Sequence, residues 1–316
     1  MAYYFEGTSC EEAWLSCAQK IYEGSQNLLQ RTPSRNGDTF ELLHTAISIE
    51  NSHDRYIVSR YPAISICFAL AEVVWILNGA KQSSIINYWN PQLRKYSGKT
   101  LEYPGAYGYR LSQSFGFNQI EQAYIALKND RNSRRVVLLI WDPYIDLPHE
   151  SKPNYYDTPC NICSMLKIRN GKLFWSQIMR SNDLYLGTPY NFIQFTFLHE
   201  LFASWLELEI GTYSLYCDSL HAYTKDILYL KKSINTQGYP PESLENSDYF
   251  HTQFNDTIIF VNSIYKNMEK IVNEPLSLQE HKNLLDSIKS STAWQNVYRM
   301  IMAYAAKKQN NNDLVN

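Results

Sequence analysis

The chain has 316 residues, of which 45% are hydrophobic and 19% are charged, and its formal net charge is -2 at pH 7. This composition predicts a folded globular protein and excludes an intrinsically disordered chain. The small net charge argues against a surface for long nucleic acid, so an anionic ligand must be held by a few local arginines. We see no signal peptide, and the longest apolar stretch, near 64–77, is too short to span a bilayer. A soluble cytoplasmic protein is therefore expected.

Hydrophobic periodicity and turn residues predict a succession of helices and strands. In chain order these are a helix over 9–30, a loop over 31–39, a buried helix over 64–78, a helix over 118–129, a strand over 136–141, a hairpin of strands 163–169 and 172–179, a helix over 191–207, a strand over 212–217, a helix over 218–230, a break over 238–241, and two helices near 276–289 and 292–307. The Asn170-Gly171 pair is the strongest hairpin signal. Together the elements predict one α+β domain over 1–316.

Two of the predicted helices carry features that need an interpretation. Glu72 lies alone among apolar residues of helix 64–78, and an unpaired buried carboxylate is costly, so we favour a functional role for it over a structural one. The aromatic stripe that runs from Phe192 to Trp205 at helical spacing is interpreted as core packing.

The residues that could carry chemistry are concentrated in one segment. Cys160 follows a proline, and twenty residues later the chain combines Arg180, Asp183, a glycine turn and Asn191. A thiolate supplies a nucleophile, while an arginine binds an anion and favours the thiolate. By residue type alone, this set suggests covalent catalysis on a small anionic substrate.

Other groupings are weaker. Cys160 and Cys163 form a C-x-x-C pair, but a zinc site would need a second pair, so no metal is expected. A cysteine hydrolase could be assembled from Cys160, His221 and Asp218, although no nucleophile motif supports it. Arg134 and Arg135 fit a solvated strand entry as well as a phosphate clamp, and Arg35 has the same status.

The order of these motifs closely resembles the signature of thymidylate synthases. The matching residues are Ala71–Leu77, Pro104–Gly108, Asn132–Arg135, Pro159-Cys160, Gly171-Lys-Leu, Arg180-Ser181-x-Asp183-x-x-Leu186-Gly187-x-Pro189-Tyr190-Asn191 and Asp218-x-x-His221-x-Tyr223. The resemblance covers about 30–232, and a helical extension over about 275–308 lies beyond it. It implies a single thymidylate synthase-like domain, with a mixed or antiparallel sheet layered with helices, that dimerises through the sheet.

The resemblance also implies an activity, in which a one-carbon unit passes from 5,10-methylenetetrahydrofolate to C5 of a pyrimidine nucleoside monophosphate. Cys160 would attack C6 of the base. The implied catalytic residues are Cys160, Glu72, Tyr107, Arg180 and Asp183. The implied nucleotide-binding residues are Arg35, Arg180, Ser181, Asn191, His221, Tyr223 and Asn161, with Arg134 and Arg135 reaching from a second subunit of a homodimer. The implied folate-binding residues are Trp89, Asp183 and Gly187.

The chain departs from the family pattern near these residues. Asn161 replaces the family's His, and Met179 replaces its Gln. The second tryptophan of the folate wall is replaced within 90–93, and no apolar tail is visible in 310–316. A more open site favours attack by water, so hydroxymethylation is preferred and reductive methylation is second.

Base and sugar stay open at this stage. Viral cytidylate hydroxymethylases carry Asp where this chain has Asn191, which favours uracil, yet a flipped amide would suit cytosine. Ribose and deoxyribose are not distinguished. A non-catalytic homologue that binds nucleotide or RNA is the other class of function, and the intact catalytic residues argue against it.

Overall fold

A computed structural model describes residues 2–27, 29–147, 157–236, 250–288 and 292–311. It confirms the predicted α+β class, with a mixed open sheet layered with helices. The chain forms two compact units, each assembled from separate segments. Unit 1 comprises Met1–Ile64, Glu121–Trp141 and Cys160–Glu242, and unit 2 comprises Ser65–Ile120, Asp142–Pro159 and Ser243–Asn316.

Unit 1 is built on the sheet. Its strands are β1 Tyr3–Gly7, β2 Arg31–Thr32, β3 Thr39–Ile49, β4 Val137–Leu139, β5 Asn161–Arg169, β6 Lys172–Asp183 and β7 Glu209–Tyr223. Its helices are α1 Cys10–Asn27, most of α6 Gln119–Asn129, α8 Thr188–Trp205 and α9 Ile227–Ile234. The strands lie in the order β1-β3-β7-β6-β5-β4, and β2 pairs with β3.

The direction of the strands follows from their connections. β5 and β6 form an antiparallel hairpin across Asn170 and Gly171, which both have positive φ, as a tight two-residue turn requires. β6 and β7 are parallel because α8 crosses between them. The aromatic stripe of α8 is buried, with the ring of Phe202 edge-on to Trp175 of β6, so its interpretation as core packing is confirmed.

Unit 2 is helical. Its helices are α2 Ile66–Leu77, α3 Ser83–Trp89, α4 Arg94–Ser97, α5 Tyr107–Tyr109, α7 Pro143–Asp146, α10 Phe254–Asn273, α11 Leu278–Ser287 and α12 Thr292–Lys308. α2 is buried nearly all round, and Ser65 caps its first turn by accepting from the backbone N–H of Phe68. Among the helices that the structure describes, none is both long and apolar enough to cross a membrane.

Most predicted elements match, and one is wrong. The helix expected over 218–230 is a strand as far as Tyr223, because β7 is hydrogen-bonded to β3 on one side and to β6 on the other along nearly its whole length. The helix begins only at Ile227. The long strand β3 and the helix α10 were not predicted. The break expected over 238–241 lies outside the described residues.

Candidate functional site

The predicted site residues of unit 1 meet at one end of the sheet. β6 and β7 are parallel neighbours, so their carboxyl ends lie side by side, with Asp183 paired to His221 and Ser181 to Ser219. β3 runs antiparallel to β7, and its first residue, Thr39, pairs with Tyr223. The register therefore brings the Arg180–Asp183 run together with His221 and Tyr223.

Cys160 lies at the same end, immediately before β5. The backbone N–H of Arg180 donates to the carbonyl oxygen of Cys160 at 3.0 Å, and Asn161 is the register partner of Met179. Cys160 is half-buried, which leaves its thiol within reach of a small ligand. The guanidinium of Arg180 lies 5.3 Å from the ring centroid of Trp141, a cation–π distance.

Asn191 lies in the first turn of α8, and its carboxamide faces the end of β6. Its Nδ2 donates to Oδ1 of Asn182 at 3.0 Å, and the same nitrogen lies 3.9 Å from the thioether sulfur of Met179. Asn182 in turn donates through Nδ2 to the sulfur of Cys217 at 3.7 Å. The two positions beside Asn191 are therefore occupied by acceptors.

Asn161 belongs to a second chain of buried amides. The indole N–H of Trp175 donates only, so the atom of Gln177 that receives it at 3.1 Å must be the oxygen Oε1. Ser164 donates to the same oxygen. Gln177 then donates from Nε2 to Oδ1 of Asn161 at 2.8 Å, and Nδ2 of Asn161 has no hydrogen-bond partner among the described residues. The amide nitrogen of Asn161 is therefore a buried donor that remains unpaired within the described residues.

Asp183 is held by the turn that follows it. Its Oδ1 accepts the backbone N–H groups of Tyr185 at 2.9 Å and Leu186 at 2.8 Å, and Gly187 donates to its carbonyl oxygen. Burial raises the pKa of Asp183 to about 6, against the two backbone hydrogen bonds that lower it. Burial also raises the pKa of the neighbouring Asp226 to about 6, and the charge of Asp183 adds to that rise.

These shifts predict a pH dependence of stability. A carboxyl whose pKa is raised on folding stabilises the folded state below its unfolded pKa, and that contribution is lost as pH rises through the folded pKa. For Asp183 the window lies between 3.8 and about 6. We expect Asp183→Asn to show a smaller loss of unfolding free energy across this window than the unmodified protein, measured by urea unfolding at a series of pH values. The exposed Asp130→Asn is the matched control, and equal pH profiles for Asp183→Asn and the unmodified protein would contradict the assignment.

His221 and Tyr223 lie on one face of β7, with their rings edge-on and their centroids 5.7 Å apart. Burial lowers the pKa of His221, which favours the neutral imidazole. Asp218 is exposed, and its carboxylate pairs with His44 at 3.3 Å. Since residues three apart on a strand point to opposite faces, Asp218 does not orient His221, and the cysteine-hydrolase alternative loses its third member.

The three arginines predicted to bind phosphate, Arg35, Arg134 and Arg135, do not all lie near Cys160. Arg35 is exposed in the turn between β2 and β3, next to the sheet end that carries Tyr223. Arg134 and Arg135 are exposed just before β4, where Val136 accepts from the backbone N–H of Leu166. Leu166 lies about 20 Å along β5 from Cys160 at 3.3 Å per residue. Within one chain, Arg134 and Arg135 are therefore not brought to the cysteine.

Three predicted site residues lie in unit 2. Glu72 is half-buried on α2. A Cβ at Gly108 would lie 2.2 Å from the carbonyl oxygen of Ile76, so only glycine lets α5, which begins with Tyr107, pack so closely on α2. Trp89 is buried, and its indole N–H points to the carbonyl oxygen of Ile301 in α12 at 3.4 Å.

Sequence reasoning missed several neighbours of the site. Asn182 occupies the variable position of the Arg-Ser-x-Asp motif, so the motif gives no reason to assign it a role. Gln177 and Trp175 alternate with outward residues of β6, and that alternation signals only that they face the core. Among the described residues, no three His, Cys, Asp or Glu side chains converge in a geometry that could hold a metal.

Comparison with known proteins identifies relatives. A family model described as "Thymidylate synthase" matches residues 12–275. The deoxyuridylate hydroxymethyltransferase of Bacillus phage SP01 is 34% identical over 171 residues, which are 50% of this chain and 44% of that protein. The enzyme of the same name from Pseudomonas phage M6 is 35% identical over 158 residues, 49% of this chain and 44% of its own length. The thymidylate synthase of Listeria monocytogenes serotype 4b is 23% identical over 217 residues, 64% of this chain and 67% of its own length. The chain thus spans less than half the length of the two phage relatives.

Proposed function

The chain belongs to the thymidylate synthase family, and we propose that it hydroxymethylates C5 of deoxyuridine monophosphate with methylenetetrahydrofolate as the one-carbon donor. The observation that carries the proposal is the assembly at one end of the sheet in unit 1. There the backbone of Arg180 bonds Cys160, and the register adds Asp183, His221 and Tyr223. The names of the two phage relatives support both the base and the product.

The chemistry begins with the thiol. The Cys160 thiolate adds to C6 of the pyrimidine, and the electron pair of the C5–C6 double bond makes C5 a nucleophile. Bound methylenetetrahydrofolate supplies the carbon that C5 takes up. Loss of the C5 proton, with Glu72 and Tyr107 as the proposed proton carriers, is followed by cleavage of the bond between the transferred carbon and the folate nitrogen, which releases tetrahydrofolate and leaves an exocyclic methylene on C5. Water adds to that methylene as Cys160 leaves C6, so the products are the hydroxymethyl nucleotide and tetrahydrofolate, without oxidation of the folate.

The folate is proposed to bind at Asp183 and Gly187. The carboxylate of Asp183 uses Oδ1 for two backbone N–H groups, so Oδ2 is the oxygen that would accept from the N–H edge of a pterin. Trp89 is the third proposed contact, although α12 and the rings of Tyr88 and Tyr304 pack against it.

The deciding experiment is a product analysis. The full chain is incubated with methylenetetrahydrofolate and, separately, dUMP, UMP, dCMP and CMP, and the nucleotides are examined by mass spectrometry. A gain of CH2O on dUMP supports the proposal. A gain of CH2 accompanied by dihydrofolate would instead assign reductive methylation, the function named for the Listeria relative, and a gain only on cytosine nucleotides would overturn the choice of base.

We also propose a homodimer formed through the exposed face of the sheet. The register places Leu139, Cys163, Ile178 and Tyr216 in one row across β4, β5, β6 and β7. Leu139 on the edge strand β4 and Tyr216 on the interior strand β7 are 43% and 45% exposed, so large apolar groups lie open on this face of the sheet. An apolar face of this kind suits a second copy of the same face. It would also let Arg134 and Arg135 serve the phosphate site of the partner.

Shared sites predict complementation between inactive variants. Cys160→Ala and the double variant Arg134→Ala, Arg135→Ala should each be inactive alone. After mixing and subunit exchange, half of the dimers are mixed and each holds one intact site, so activity should return to about a quarter of the normal value. The measurement is turnover of dUMP after co-refolding. An equal mixture of Cys160→Ala with Cys160→Ser is the control that should stay inactive, and failure of the first mixture to recover would contradict the shared site.

A further inference from the structure

The orientation of the Asn191 carboxamide decides which base edge it can bind, because its oxygen accepts hydrogen bonds and its nitrogen donates them. In the structure the nitrogen faces inward. It donates to Oδ1 of Asn182 at 3.0 Å and lies 3.9 Å from the sulfur of Met179. A thioether carries no proton and can only accept, so Met179 favours nitrogen over oxygen at this position.

The reversed orientation is unfavourable on both sides. It would place Oδ1 of Asn191 against the oxygen of Asn182 and against the lone pairs of Met179. Asn182 could turn its own amide, because the thiol of Cys217 can donate as well as accept, but a concerted turn would still leave the Asn191 oxygen facing Met179. Met179 and Asn182 are each only 1% exposed, so water does not relieve the mismatch.

We propose that Asn182 and Met179 are positioning residues for base selection. They hold Asn191 with Oδ1 toward the nucleotide, where it accepts the N3–H of uracil and opposes the N3 lone pair of cytosine. This inference rests on the proposed function, in which Asn191 contacts the base. Neither residue belongs to the family signature. Met179 stands where the family has Gln, and Asn182 fills a variable position of the motif.

The test is the ratio of dissociation constants for dCMP and dUMP, measured by calorimetry on the full chain without folate. Asn182→Ala removes the acceptor that anchors Asn191, and the ratio should fall about tenfold, the equivalent of one buried hydrogen bond. Asn182→Asp keeps an acceptor at the same place and should hold the ratio within about threefold of the unmodified protein, even if both affinities weaken. Met179→Leu conserves volume but removes the sulfur, and its ratio should also fall.

The ratio distinguishes a role in positioning Asn191 from a role in packing alone, because a general packing defect weakens the binding of both nucleotides equally. If the ratio of the dCMP and dUMP dissociation constants is unchanged in Asn182→Ala, the inference is overturned and the proposed reaction is unaffected. If Asn182→Ala does not fold, the same ratio in Met179→Leu decides in its place. An unmodified protein that binds both nucleotides equally overturns the inference together with the choice of uracil. A protein that binds dUMP selectively yet makes no product overturns the proposed reaction alone.

Discussion

Replacement of Cys160 with alanine is expected to abolish tritium release from C5-labelled dUMP, with a loss of at least about a thousand-fold. The reason is that only the thiolate adduct at C6 makes C5 acidic enough to exchange its proton, and alanine provides no nucleophile. Release is measured with methylenetetrahydrofolate present, so that the whole sequence of steps is available.

The control is Cys163→Ala, which removes the second half-buried thiol of the C-x-x-C pair and keeps the row of the sheet face apolar. This variant should release tritium normally. Unchanged release from Cys160→Ala would disprove the covalent mechanism, and loss of release from both variants would revive a role for the cysteine pair. An unmodified protein that binds dUMP but releases nothing would favour the non-catalytic nucleotide- or RNA-binding class.

Removal of the Asp146 carboxylate is expected to destabilise the protein by about 3–5 kcal/mol. Within unit 2, Arg110 is completely buried, and its Nη2 donates to Oδ1 of Asp146 at 2.8 Å. Its Nε donates to the carbonyl oxygen of Pro104. In Asp146→Ala the buried guanidinium would lose the carboxylate to which its Nη2 donates, and that donor would stay buried without a partner. The free energy of unfolding in denaturant measures the effect, with circular dichroism following the helices of this unit.

The same unit provides the control. Lys81 and Glu102 form an ion pair at 2.7 Å whose side chains are 30% and 48% exposed. Since solvent-exposed pairs contribute about 0–1 kcal/mol, Glu102→Ala should be nearly neutral. Equal losses of unfolding free energy in Asp146→Ala and Glu102→Ala would show that burial does not make the Arg110–Asp146 pair more stabilising than an exposed pair.

The sequence predicted elements best where local signals were strong. The Asn170-Gly171 turn has both residues at positive φ, as its hairpin requires, and the aromatic stripe of α8 is core. The sequence-based prediction was wrong over 218–223, where a helix was expected and the strand continues. β7 continues through these residues because its edges pair with both β3 and β6, and long-range pairing overrides local propensity.

The candidate site shows the same division. The chemical groups of the site can be read from chain order, since Cys160, Arg180, Asp183 and Asn191 occur there at a characteristic spacing. The directions in which the amides of Asn161 and Asn191 point depend on the fold. A carboxamide has nearly the same shape in either orientation, so its polarity is set by the donors and acceptors that folding places beside it. Here those are Gln177 for Asn161, and Asn182 with Met179 for Asn191.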